Sequence, residues 1–172
     1  MMMHSISALN ALDAPTFIAV LGDIYEHSPW VAERASRLRP FADFVQLADV
    51  LHGIVLAADR SEQMTLIRAH PELAGKLAIR GELTQASSAE QSAAGLNQCS
   101  AHEFAELNEL NQAYQQRFGF PFIIAVRGLD RPTIIAAMQQ RLRHTEAEEV
   151  ATALAEIRRI AGFRLQDFLM MG

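Results

Sequence analysis

One cysteine, Cys99, in 172 residues rules out an intramolecular disulfide, which fits a reducing compartment. Basic excess is also missing: 15 Lys and Arg stand against 20 Asp and Glu, a formal net charge of −5. A nucleic-acid partner, which needs a broad positive face, is therefore not expected, although a local basic pocket for a small anion remains open. No uncharged apolar run approaches the roughly 18 residues of a membrane span, so no membrane partner is expected. Met1–Asn10 lacks the basic-then-apolar order of a secretory signal, and Leu169-Met170-Met171-Gly172 is not a Ser-Lys-Leu address. The expectation is a soluble cytoplasmic protein. There is no Gly-rich phosphate loop and no Gly-x-Ser-x-Gly elbow. Cys99 has no ligand spacing around it, and His102-Glu103-Phe104-Ala105-Glu106 lacks the second histidine of a zinc-protease helix. No metal site is expected.

What is present is helical periodicity. Phe44, Leu47, Ala48, Leu51, Ile54, Val55 and Ala58 recur at spacings of three and four, one face of a helix. Further stripes run through Phe104, Leu107, Leu110, Tyr114 and Phe118, through Ile134, Ile135, Met138 and Leu142, and through Val150, Leu154, Ile157, Ala161 and Phe168. Pro15, Pro29, Pro40, Pro71, Gly81, the Gly119–Pro121 region and Pro132 break the pattern. With half of its residues apolar and a fifth charged, the chain is long enough to bury its own core. These features predict an all-α, single-domain bundle over residues 1–172, with about seven to nine helices.

Four features interrupt that pattern with chemistry. Pro71 disfavours an α conformation at His70, so a helix should end there. Pro71 can then open the next helix, leaving an imidazole at a junction that either fills a corner or reaches a cleft. Ser87-Ser88-Ala89-Glu90 has S-x-x-E capping-box spacing, with Ser87 as N-cap and Ala89, Glu90 and Gln91 offering free N–H groups to an anion. Arg164 follows Ile157 by seven residues, about 20° from the centre of an apolar stripe. A guanidinium aimed there needs a carboxylate or an anionic ligand. Phe122-Ile123-Ile124-Ala125-Val126 is too short for an independent helix, and if extended its buried backbone groups need partners.

Three segments carry a resemblance when taken together and in order: Ala69-His70-Pro71-Glu72-Leu73-Ala74-Gly75-Lys76, Ser87-Ser88-Ala89-Glu90-Gln91, and Phe118-Gly119-Phe120-Pro121-Phe122-Ile123-Ile124-Ala125-Val126-Arg127-Gly128. They resemble the signature of the 2-oxo-4-hydroxy-4-carboxy-5-ureidoimidazoline (OHCU) decarboxylases of urate breakdown. The likeness extends from Ser28-Pro29-Trp30-Val31-Ala32-Glu33-Arg34 to Arg164. It implies an all-helical fold, a homodimer, and stereoselective decarboxylation of OHCU to S-allantoin without metal or organic cofactor. By that match His70 is the active-site acid, Glu90 its partner and Arg164 a substrate-holding cation. Pro71, Ser87, Ser88, Ala89, Gln91, Phe122, Ile123, Ile124, Ala125 and Val126 would line the substrate site, the last five largely through backbone atoms. A non-catalytic helical dimer binding a purine-like ligand is the alternative. It would keep Arg164 and the Phe122–Val126 wall but would not need His70 to change protonation. A metal hydrolase built on His70, Glu72 and His102 lacks ligand spacing.

Overall fold

A computed structural model describes residues 5–170, apart from the side chains of Lys76 and Leu77. The Met1–Met3 run and the terminal Met171 and Gly172 lie outside the described residues. Among those described there are ten α-helices, one 3₁₀ turn and no strand, so the all-α expectation holds. The helices are α1 (Ile6–Ala11), α2 (Ala14–Leu21), α3 (Trp30–Ser36), α4 (Phe44–Ala57), α5 (Arg60–Ala69), α6 (Lys76–Arg80), α7 (Gln85–Ala93), α8 (Ala101–Phe118), α9 (Arg131–Arg141) and α10 (Glu146–Met170), with the 3₁₀ turn at Leu96–Gln98. The six-residue α1 and five-residue α6 are too short to announce themselves by periodicity.

The chain divides into two compact units. Residues up to Ala69, together with those from Arg158 onward, form one; His70–Ile157 form the other. In the first, α2 packs on α3 and α3 on α4. Its helices start where short polar side chains meet orphan N–H groups: Ser5 accepts from Ala8, Asp13 from Thr16 and Asp43 from Gln46. Pro15 occupies the first turn of α2, where no N–H is missed. Leu47, Leu51 and Val55 of α4 are buried as the stripe predicts, and His52 joins them.

In the second unit α8 packs on α9, and α7 on the 3₁₀ turn. The S-x-x-E spacing forms a true capping box at Ser100 and Glu103, which open α8. Leu107, Asn111, Tyr114 and Phe118 form the buried face of α8, whereas Phe104 is 37% exposed and falls outside it. Gly119, at φ 76°, ends the helix in the left-handed conformation and donates its N–H to Gln115. The chain then turns into Phe120–Val126, which is neither helix nor strand. The rings of Phe120 and Phe122 meet Tyr114 edge-on at 5.8 and 5.4 Å, anchoring that segment to α8.

Candidate active site

His70 lies immediately after α5, as its position before a proline predicts, and it is buried. Pro71 does not open a helix, contrary to the sequence expectation; α6 begins five residues later, at Lys76. The intervening residues form a turn in which Ala74 takes a positive φ of 51°. An alanine there costs on the order of 1–2 kcal/mol, so the surroundings must enforce it. Two buried amides do. Gln91 of α7 accepts from Ala74 N–H at 3.0 Å and donates to Glu72 C=O at 3.3 Å, while Asn111 of α8 donates to Leu73 C=O at 3.0 Å. Gln91, expected to line the substrate site, thus commits both ends of its amide to the segment that follows His70.

The capping-box expectation at Ser87 is corrected. Thr84 caps α7, its Oγ1 accepting from Ser87 N–H at 3.2 Å. The helix therefore starts one turn earlier than the Ser-rich spacing suggests, because Thr84 supplies the first competent oxygen. Ser87 is a buried residue at the third helical position, and Ser88 already donates to Thr84 C=O at 2.9 Å. Ala89, Glu90 and Gln91 lie inside the helix, so their N–H groups do not form an anion-binding terminus. Glu90, half-buried, stands in the second turn, and its carboxylate is not a capping-box member. Ser88 and Gln91 also border a cleft of about 450 Å³ shared with Ala74, Ile79, Cys99 and Phe104. Neither His70, Glu90 nor any of Phe122–Val126 lines that cleft.

Arg164 lies in the other unit, on the last third of α10, and is buried as the wheel position predicts. Its partner is Glu26: Nη2 is 2.7 Å from Oε2, with the two side chains 7% and 1% exposed. Nη1 also reaches Asp23 C=O at 3.3 Å. Of the two partners open on sequence grounds, the carboxylate is present in the chain itself. Sequence reading missed Glu26 because it precedes the Ser28-Pro29 breaker, where no periodicity gives its direction. In the same unit Tyr25 Oη lies 3.4 Å from His52 Nδ1, both buried. Burial, and secondarily Arg158, holds the His52 imidazolium below its ordinary range, and burial raises the Tyr25 phenol.

Phe122, Ile123, Ala125 and Val126 are buried and Ile124 is half-buried. Two backbone groups of this stretch are met by side chains: Ile123 C=O accepts from Arg141 Nη1 at 2.6 Å, and Ala125 N–H donates to Glu156 Oε1 at 3.2 Å. Behind Arg141 stands a network the sequence reading also missed. Arg141 Nε donates to Glu149 Oε1 at 2.8 Å, Tyr114 Oη donates to the same oxygen at 2.5 Å, and His144 Nδ1 is 2.9 Å from Oε2. Burial, with the bond to Glu149, drives the Tyr114 phenol well above its ordinary range. Arg141 follows Ile134 by seven residues and Met138 by three, so the wheel argument used for Arg164 would have found it. Among the described residues no group of three or more His, Cys, Asp or Glu side chains is arranged to hold a metal ion.

Comparison with known proteins follows the same lines. A sequence profile for OHCU decarboxylase matches residues 10–166. The 2-oxo-4-hydroxy-4-carboxy-5-ureidoimidazoline decarboxylase of Haloferax volcanii is 42% identical over 167 residues, covering 96% of this chain and 97% of that protein. The uric acid degradation bifunctional protein of Bacillus subtilis is 42% identical over 97% of this chain, which spans 33% of that longer protein. Among solved structures, an (S)-allantoin synthase superposes with a TM-score of 0.76 at 30% identity, covering 96% of this chain and 54% of that one.

Proposed function

The chain belongs to the OHCU decarboxylase family, and on that premise we propose that it decarboxylates OHCU stereoselectively to S-allantoin in urate catabolism, without a cofactor. The observation that carries this reading is the match to a dedicated decarboxylase over nearly the whole length of both chains. OHCU bears its carboxylate on a ring carbon beside a conjugated, nitrogen-rich system. As CO₂ leaves, the electron pair of the broken C–C bond passes into that system, so the protein need not supply an electron sink. Its tasks are orientation, stabilisation of developing charge, and delivery of a proton to one face.

His70 is the proton donor in this reading, an imidazole being a side chain that can give up a proton to a developing carbanion around neutrality. Glu90 orients it or the substrate, and Arg164 holds substrate negative charge. Pro71, Ser87, Ser88, Ala89 and the Phe122–Val126 backbone bound the substrate, and Gln91 shapes the turn after His70. We further read residues 1–172 as one OHCU-decarboxylase-like domain, forming a homodimer in the cytoplasm with no nucleic-acid partner.

The test is chiral. Purified protein with a chelator and no added cofactor should convert freshly generated OHCU faster than buffer does, and circular dichroism should show S-allantoin. His70→Asn keeps some hydrogen bonding but cannot act as an acid, and should lose most turnover while remaining folded. A racemic product at the buffer rate would refute the activity; an active, stereoselective H70N would return His70 to a packing role.

A further inference from the structure

We propose that Arg141 is a positioning residue for substrate binding, and that it sets which backbone groups of the Phe122–Val126 stretch meet the substrate. The inference rests on the reading that this stretch lines the site. The segment has neither helical nor strand partners; Val126 C=O accepts from Leu129 N–H at 3.0 Å, and side chains meet two more of its backbone groups. Arg141 takes the carbonyl of Ile123, and Glu156 takes the N–H of Ala125. Between these clamped residues lies Ile124, which is less buried than either neighbour. Ile124 is therefore the residue whose amide and carbonyl face the ligand, and the two clamps fix its peptide planes.

Arg141 suits that task because every other arm that is engaged is held. Its Nε is bonded to a carboxylate with no solvent exposure, and its guanidinium carbon lies 4.3 Å from the Phe122 ring centroid. That carboxylate, Glu149, is in turn fixed by Tyr114 and His144, and His144 C=O accepts from Arg117 at 2.8 Å. A guanidinium can serve Glu149 and Ile123 at once because its donors form a rigid planar fork. A lysine ammonium keeps the charge opposite Glu149 but cannot span the two acceptors in the same geometry.

Arg141→Lys is the test, with Tyr114→Phe as its control. The lysine variant should fold, raise KM about tenfold through loss of one backbone hydrogen bond, and leave kcat within about twofold. Tyr114→Phe loosens Glu149 without touching Ile123, so it should lower the melting temperature and leave KM unchanged. An R141K enzyme with wild-type KM overturns the proposal. So does a Y114F enzyme whose KM rises as far as that of R141K, since general loosening would then explain both. Should R141K not fold, the charge-neutral pair R141M/E149Q strands no ion and is read by the same criteria. Titrating the wild-type protein with S-allantoin, followed at backbone amides by NMR, separates the underlying reading. A shift centred on Ile124 supports both; turnover with no shift anywhere in 122–126 removes the wall and the proposal with it.

Discussion

Replacing Arg164 with methionine deletes one half of a buried ion pair with Glu26. Methionine fits the helix and approximates the aliphatic stem, so packing is largely conserved. Glu26, however, is left 2% exposed with its cationic partner at 2.7 Å removed. Breaking a buried pair by removing one partner costs about 3–5 kcal/mol. At roughly 2–4 °C per kcal/mol for a chain of this size, the melting temperature of R164M should fall by about 6–20 °C. Removing both charges in R164M/E26Q should recover most of that loss, because a neutral pair of similar volume escapes the desolvation cost. Thermal melts of the four proteins then form a double-mutant cycle whose coupling energy measures the pair. Kinetics on the folded fractions divide the roles: with a substrate-holding Arg164, the double variant is stable and inactive. A double variant that regains wild-type turnover would make Arg164 purely structural. An R164M protein that melts like wild type would refute the stranded-charge argument itself.

Glu90→Gln leaves the α7 cap at Thr84 intact and should reduce turnover by a larger factor than any loss of stability explains; melts and initial rates in parallel check both halves. Thr84→Ala removes the α7 cap and should cost about 1 kcal/mol, read as a lower urea midpoint at unchanged slope, whereas an unaffected midpoint would move the cap elsewhere. His52 has its folded pKa pushed below the unfolded value near ~6.5, so the unfolded chain takes up the proton first as pH falls. The stability this neutral, buried histidine contributes is present above ~6.5 and declines below it, by up to about 1.4 kcal/mol per pH unit until the folded group also titrates. His52→Gln should flatten that part of the stability–pH curve, and an unchanged slope would assign the loss to other groups.

The helical class, the buried faces of α4 and α8, the end of α5 before His70 and the burial of Arg164 were all legible because each follows from spacing or from proline sterics. The start of α7 was misplaced because threonine and serine compete as caps over one turn, and local sequence does not say which oxygen wins. Glu26 escaped notice for a different reason: its direction is fixed by the partner on α10, 138 positions along the chain numbering, and no local pattern encodes that pairing. Arg141 was within reach, since it breaks an apolar stripe just as Arg164 does, but its carboxylate partner and the carbonyl it holds emerge only from the fold.

The amide of Gln91 meets two opposite demands at once, an N–H that must be accepted and a carbonyl that must be offered a proton. No ionised side chain satisfies both. Glutamate would set a second negative oxygen against the carbonyl of Glu72, lysine would point a donor at the N–H of Ala74, and methionine would fill the space and serve neither. Asparagine has the right group on a stem one methylene too short. Position 91 is therefore a diagnostic letter: a homologous chain that carries glutamate, lysine, methionine or asparagine there should bend its polypeptide differently after the residue corresponding to His70.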